Sequence, residues 1–384
     1  FSNFTFFAQD KTYGDEIQQH DSRLQQGVNA QYLKPWKLFG SHALLTAGAN
    51  YHDNQINVGL YPSVSRVPNR AALNSDALVT SANARVTNTA GYVQQNVDWF
   101  GGKLHLDGGL RYDYFRFDVR DRVRPDFSGV QGASRLQPKA NLAFTPSQKI
   151  PATVYFNYGR GIASQDARSV VQRPDSPRLS TTDFYQTGAS FNASRFSVST
   201  DLFLLDRSNE QVYIPDDGSI EFKGPSRAYG VEAKASAKLT RTLSFNAGLT
   251  RVGNAFYRGG ATRIYVDSAP RLVTNAGLTL ADWHGFNGSL RYRHINHYRL
   301  DGEDPTILAA GFDVLDFSLS RRLRRGIEVN LALDNLTNKR YWETQNYFES
   351  RLHPGAALLA RIHATPGYPL TLSVGMTFRL FQKD

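Results

Sequence analysis

Apolar and polar residues alternate along this chain in stretches of strand length. Leu243, Phe245, Ala247 and Leu249 interleave with Ser244, Asn246, Gly248 and Thr250, the period of a strand with one apolar and one wet face. Ile327, Val329, Leu331 and Leu333 repeat it against Glu328, Asn330 and Asp334, and Leu370, Leu372, Val374, Met376 and Phe378 against Thr371, Ser373, Gly375, Thr377 and Arg379. A soluble β-sandwich alternates too, so the connectors have to decide. The pattern predicts sixteen strands near 1-9, 23-34, 40-53, 85-98, 103-118, 134-145, 151-161, 179-192, 195-207, 220-238, 242-257, 269-281, 286-299, 310-321, 326-338 and 368-380. After the even strands the connectors are tight, as at Pro35-Trp36-Lys37, Trp99-Phe100-Gly101-Gly102, Pro146-Ser147-Gln148, Asn192-Ala193-Ser194, Trp283-His284-Gly285 and Leu323-Arg324-Arg325. After the odd strands they are longer, with extremes at 54-84 and 339-366. Short turns at one end and long loops at the other are the signature of an outer-membrane barrel. The fold expected is all-β, a transmembrane antiparallel up-and-down β-barrel, with odd strands running outward and even strands inward.

Composition agrees with that reading. Mean hydropathy is negative, and no run approaches the eighteen or so apolar residues that a spanning helix needs. A barrel escapes that test because only alternate residues meet lipid and the strands satisfy each other's backbones. Trp36, Trp99 and Trp283 fall at or beside expected short turns, where amphipathic rings would form a girdle at headgroup level. No linker divides the 384 residues, so one continuous barrel domain over 1-384 is expected, without a second domain. Cysteine is absent, which removes disulfides and thiolate chemistry. The chain has no signal peptide and opens on Phe1-Ser2-Asn3-Phe4-Thr5-Phe6-Phe7, which reads as strand. It is therefore expected to be part of a longer protein.

The formal charge of +10 raises the question of nucleic acid, but its distribution argues against that partner. The expected outer loops are close to neutral or slightly negative: Asp301, Glu303 and Asp304 lie in one, and Glu210, Asp216, Asp217 and Glu221 oppose Lys223 in another. The surplus sits at the short-turn end, at Lys34, Lys37, Lys103, Lys149, Arg195, Lys238, Arg241, Arg321, Arg322, Arg324 and Arg325, where cations would meet anionic headgroups or an inner plug. Within the strands, if Leu104, Leu106, Leu110 and Tyr112 face lipid, then His105, Asp107, Arg111 and Asp113 face the lumen, and the same alternation turns Arg291 and Arg293 inward.

Catalytic and metal motifs are missing. There is no Gly-x-Ser-x-Gly elbow, Walker loop, Gly-x-Gly-x-x-Gly or His-Glu-x-x-His. His294 and His297 are three apart, so on a strand they point to opposite faces. No catalytic residue, metal ligand or cofactor is expected, although a triad is spatial rather than sequential.

Three segments carry a family resemblance. Thr89-Ala90-Gly91-Tyr92-Val93-Gln94-Gln95 with Lys103-Leu104-His105-Leu106 and Gly109-Leu110-Arg111-Tyr112-Asp113 forms the first, and Gln137-Pro138-Lys139-Ala140-Asn141-Leu142-Ala143-Phe144-Thr145-Pro146 leading to Val154-Tyr155-Phe156-Asn157-Tyr158-Gly159-Arg160-Gly161 the second. The third is Leu333-Asp334-Asn335-Leu336-Thr337-Asn338-Lys339-Arg340-Tyr341. In order and spacing they resemble the barrel of TonB-dependent outer-membrane receptors. The resemblance implies a 22-stranded barrel filled by an N-terminal plug, driven by the TonB complex, of which six strands, the plug and the TonB-contacting segment would precede Phe1. The tail Arg379-Leu380-Phe381-Gln382-Lys383-Asp384 departs from the terminal aromatic common in the family. The implied function is energised uptake of a scarce bulky nutrient, a ferric siderophore or related iron chelate first among them. The implied partners are the TonB complex, the plug, outer-membrane lipid and lipopolysaccharide, and the chelate itself. Ligand-contact candidates are the lumenal Arg111, Arg291 and Arg293 and the loop residues Tyr61, Arg66, Arg168, Arg173, Tyr341, Trp342 and Tyr347, since aromatic and Arg side chains suit large ligands. For the three lumenal arginines, wall pairing or plug contact is favoured over substrate. A passive porin and an outer-membrane enzyme are the alternatives.

Overall fold

The computed structural model describes residues 1–68, 80–147, 149–214, 219–324 and 326–378. Sixteen strands pair in one sheet, and fifteen of them follow one another as an antiparallel meander. The wall runs through β1 (Ile17–Leu38), β2 (Ser41–Val64), β4 (Thr80–Trp99), β5 (Leu104–Asp121), β6 (Gly129–Phe144), β7 (Ala152–Ser164), β8 (Leu179–Asn192), β9 (Phe196–Arg207), β12 (Ser226–Lys238), β13 (Leu243–Tyr257), β14 (Leu272–Trp283), β15 (Phe286–Ile295), β18 (Phe312–Arg324), β19 (Ile327–Asp334) and β22 (Thr371–Phe378). The sixteenth, β3 (Val67–Pro68), is a two-residue return at the tip of β2. Three detached hairpins stand at the long-loop end: β10 (Glu210–Ile214) with β11 (Ser219–Lys223), β16 (Tyr298–Arg299) with β17 (Leu308–Ala309), and β20 (Trp342–Ser350) with β21 (Leu359–Pro366). One short helix, α1 (Ala167–Gln172), follows β7.

Tight turns and long loops alternate as expected, but the beginning differs. Residues 1-9 add no strand to the wall; an isolated bridge ties Ser2 to Ile17 of β1, and another ties Phe6 to Arg351, just beyond β20. The first wall strand is β1, which runs toward the short-turn end, so the expected outward strand at Phe1 is not there. The turn expected at Pro35-Trp36-Lys37 is also displaced, because Pro35 pairs with Leu44 inside the β1–β2 ladder. The chain reverses instead at Phe39 and Gly40, whose φ angles of 50° and 81° suit a two-residue turn matched to strand twist. The region expected as one strand at 220-238 is β11 followed by β12, and 286-299 stops at Ile295 before β16. Gln148, Arg325, Asp216, Asp217 and the tail from Arg379 lie outside the described residues.

The ladder fixes the two faces. On β5 the even positions Leu104, Leu106, Leu110, Tyr112 and Tyr114 form the apolar outer face; Leu110, Tyr112 and Tyr114 are exposed. Leu104 to Tyr114 spans about 33 Å along a strand and about 25 Å along the normal at a tilt of ~40°, the height of an outer-membrane hydrocarbon band. Registered neighbours continue this face to Tyr51 on β2 and, at the lower end, to Trp36 and Trp99. Trp283 pairs with the outward Phe286, so all three tryptophans stand at the short-turn end. The odd positions of β5 face the lumen. Near the long-loop end Phe117 and Val119, on this inner face, pack with Ala84, Leu179 and the α1 residues Ala167 and Val170 into the main buried apolar cluster. That contact draws α1 in against the wall.

Candidate functional site

Several of the charges on the lumenal face stand in matched sets, because an ion left unpaired away from bulk water is costly. Arg111 and Asp113, two apart on β5, point the same way. The guanidinium donates to both Asp113 carboxylate oxygens, at 2.7 and 2.9 Å, and to Asn50 Oδ1 at 2.6 Å. Asn88 and Gln137, on the flanking β4 and β6, donate to the same carboxylate at 3.1 and 2.5 Å. Lower on the same face, Gln94 and Asn96 donate to Asp107, and the Tyr155 hydroxyl donates to Asp201.

A second set lies on β15 and β18. Arg291 and Arg293 both donate to Asp316 Oδ2, at 3.0 and 3.2 Å, while Asp316 Oδ1 accepts the Asn335 backbone N–H at 3.0 Å. Asn335 is buried and also ties Lys339 and Tyr368 together through its side chain. Tyr341 follows, its ring 4.9 Å from that of Phe312. Burial, helped by the Glu343 carboxylate, pushes the Tyr341 phenol up, and the nearby Arg293 opposes this. Arg291, Arg293 and Tyr341 therefore share one neighbourhood under the β20–β21 hairpin.

The other loop candidates are scattered. Tyr61 is within β2 on its outer face, its hydroxyl 3.3 Å from Ser81 Oγ. Arg66 occupies the β2–β3 turn with φ of 64°, and its N–H donates to Glu16. Arg168 is buried in α1 beside the helix-capping Asp166, 3.2 Å away, and Arg173 closes that helix with its guanidinium over the Phe222 ring. Trp342 is exposed at the foot of β20, and Tyr347 is half-buried further along it.

Residues not singled out from sequence complete the mouth. Gln19, Asp21, Arg23 and Gln25 on β1 share a cavity of about 490 Å³ with Ile56, Leu60, Asp166 and Arg168. Gln18, His20, Ser22 and Gln26 between and beside them are polar as well, so alternation in the sequence does not single out this face. Gln345, buried on β20, bonds both the N–H and the carbonyl of Ala310, pinning the hairpin to β17. His363 stacks on Phe348 at 4.1 Å, lies 6.0 Å from the Phe6 ring and meets Ser350 Oγ at 2.9 Å. Burial first, and Arg361 second, pull its imidazole pKa down. The segment before β1 and the last hairpin thus touch at the mouth, with Phe7 N–H donating to the Arg351 carbonyl. Among the described residues no cluster of His, Cys, Asp and Glu could hold a metal.

A wall of this kind, with a polar inner face and a banded outer one, has close parallels. Residues 1–336 match the family model described as TonB dependent receptor-like, beta-barrel. The chain belongs to the TonB-dependent receptors, as a part of their β-barrel. Over 215 residues it is 25% identical to an uncharacterized TonB-dependent receptor of Haemophilus influenzae, covering 53% of this chain and 60% of that one. Its fold resembles the ferric-catecholate import receptor Fiu of Escherichia coli K12 in its closed form, with a TM-score of 0.71, 15% identity, and 94% of this chain and 55% of that one covered. The ferric citrate transporter FecA, unliganded, gives the same four values. The copper transporter OprC gives a TM-score of 0.66 at 15% identity, with 94% and 57% covered. The chain spans little more than half the length of these relatives. The family places it in the outer membrane, short turns toward the periplasm and long loops outside, and its members are receptors and transporters rather than enzymes.

Proposed function

We propose that the full-length receptor takes up a ferric siderophore or a related iron chelate, energised through TonB. The observation that carries this reading is the family match over residues 1–336; the lumen chemistry supports it. Arg111, Arg291 and Arg293 are held by carboxylates yet keep part of each side chain exposed to the lumen, 33%, 60% and 32% respectively. Guanidiniums fixed in this way can present remaining N–H donors to an anionic chelate or to a plug surface without collapsing onto each other. Wall pairing is their first role and plug contact their second. In this reading the fifteen meander strands belong to a 22-stranded barrel with its own plug, and 1-384 is barrel domain throughout. Tyr341, Trp342 and Tyr347 stand where the last hairpin would meet a ligand entering from outside.

The test uses the full-length gene in a deletion strain supplied with radiolabelled ferric siderophores. Accumulation should be abolished by collapsing the proton-motive force. Uptake that continues at the same rate after collapse would refute energised import and leave a passive pore.

A further inference from the structure

Two segments far apart in the chain are fastened together at the mouth. The segment before β1 folds into a compact loop, since the Asp15 carboxylate collects the Thr5 hydroxyl at 2.7 Å and the N–H groups of Ala8 and Asp10 at 2.8 Å each. Asp10 in turn accepts from the N–H groups of Thr12 and Tyr13. The chain turns at Phe6, with φ of 60°, and the Phe6 ring lies 6.0 Å from that of His363. His363 itself stacks on Phe348 at 4.1 Å, its ring tilted by 7°. Two backbone bonds lock the contact: Arg351 N–H donates to the Thr5 carbonyl at 3.1 Å, and Phe7 N–H to the Arg351 carbonyl at 3.0 Å. The loop is anchored to β1 through the Ser2–Ile17 bridge, and the hairpin stands between β19 and β22. This clasp therefore joins the neighbourhoods of the first and last strands of the described wall.

The imidazole at its centre has no place for a second proton. Arg361 Nη1 donates to the Ser350 carbonyl at 2.8 Å and lies 3.5 Å from Ser350 Oγ, and His363 Nε2 meets the same Oγ at 2.9 Å. Ser350 is fully buried, so no water is at hand to take its hydroxyl proton. A neutral imidazole accepts that proton, whereas an imidazolium would set a second donor against the same oxygen, beside a guanidinium. By register and alternation Asn346, Phe348, Ser350, Arg361 and His363 share one face of the hairpin, and Glu349 lies on the other. Glu343 stands at the bulge at the hairpin's foot, near Tyr341. On the facing loop Asp10 and Asp15 are spent on the bonds above, and Glu16 accepts the Arg66 N–H at 2.6 Å. The remaining charged or titratable groups of the two elements are Lys11, Arg351, Arg361 and His353, none of which welcomes another cation.

We infer that the loop before β1 and the β20–β21 hairpin form a proton-released clasp at the mouth, closed while His363 is neutral and opened when it takes a proton. Once open, the imidazole meets water and binds protons with its ordinary affinity, near pH ~6.5. In the closed clasp burial and Arg361 hold that affinity lower. Closure is therefore fully favoured above the ordinary histidine range and is lost as the pH falls through it toward the lowered value. The clasp needs neither an imported chelate nor TonB.

The experiment uses the full-length receptor purified in detergent, with spin labels at Tyr13→Cys and Leu352→Cys, both exposed positions, and pulsed dipolar spectroscopy as the readout. The labelled parent should show one short distance at pH 7.5 and, at pH 5, a longer population grown about fivefold or more, reversibly, as two states of unequal proton affinity require. Phe6→Gly removes the ring and suits the positive φ, and should be open at both pH values. His363→Phe keeps a stacking ring without the proton and should stay closed at both. Arg361→Gln returns the closed-state proton affinity toward the ordinary one and should shrink the pH response. Identical distances at pH 7.5 and pH 5 in the parent would overturn the clasp, as would opening of His363→Phe at pH 5 alone. Should His363→Phe fail to close at pH 7.5, Arg361→Gln decides, and an undiminished response there overturns the proton trigger. No uptake is measured, so failure of the transport reading and failure of this one appear in different assays.

Discussion

Asp113 gathers four bonds from three strands: two from Arg111, one from Asn88 and one from Gln137. It is only 3% exposed, so removing it leaves a guanidinium facing a partly wet lumen without its counter-ion. A fully buried pair broken in this way costs about 3–5 kcal/mol. With Arg111 a third exposed, Asp113→Ala is expected to destabilise the barrel by about 2–3 kcal/mol, read from urea unfolding in lipid vesicles. Asp113→Asn should recover part of this, since an amide oxygen still accepts from Arg111. That Arg111 and Asp113 share a face was legible from their spacing of two. The partner of Arg291 and Arg293 was not, because Asp316 lies on the next wall strand and reaches them only through the β15–β18 register.

Among the elements, the last hairpin shows what periodicity overlooks. The stretch 339-366 was expected as a long loop because its apolar residues do not alternate cleanly, yet Trp342 to Ser350 pairs with Leu359 to Pro366. Its strength comes from stacking of Phe348 on His363 and from Gln345 on Ala310, contacts made across the hairpin or to another element. The His363 pKa lies below its ordinary value, so the unfolded hairpin takes up protons more readily than the folded one. Stability contributed by this packing is whole above the ordinary histidine range and falls as the pH drops through it toward the lowered folded value. Protease cleavage within the hairpin should therefore be faster at pH 5 than at pH 7.5 in wild type, and His363→Gln should flatten that difference. The opposite error occurred at residues 1-9, where four phenylalanines in seven positions imitate a strand, yet Phe6 has a φ of 60° and breaks any extended run. The wall strands themselves were legible because one face must meet lipid and the other water, which writes the period into the sequence without help from tertiary contacts.

At the scale of the whole wall, strand length is uneven. β1, β2, β4 and β5 run 22, 24, 20 and 18 residues without a break in their ladder, far beyond the ten or so that span the membrane. From β9 onward the ladder stops sooner, and the chain above it pairs again as the three detached hairpins. The joints are narrow: at Gly311 a Cβ would collide with the Ile295 carbonyl, so only glycine lets the strand leave β15 there. Amide hydrogen exchange on the full-length receptor should show the tops of β2, β4 and β5 among the slowest exchanging regions outside the membrane, with β10–β11, β16–β17 and β20–β21 opening separately and faster. Uniform protection around the rim would contradict this.

The unbroken ladders also set a gauge. One side of the entrance is a fixed palisade, while the other is a row of leaves, each hung on its own joint. Under the uptake proposed above, cargo of different girths would be accommodated by deflecting the leaves alone, which would put tolerance for size and selectivity for shape on opposite sides of the same opening.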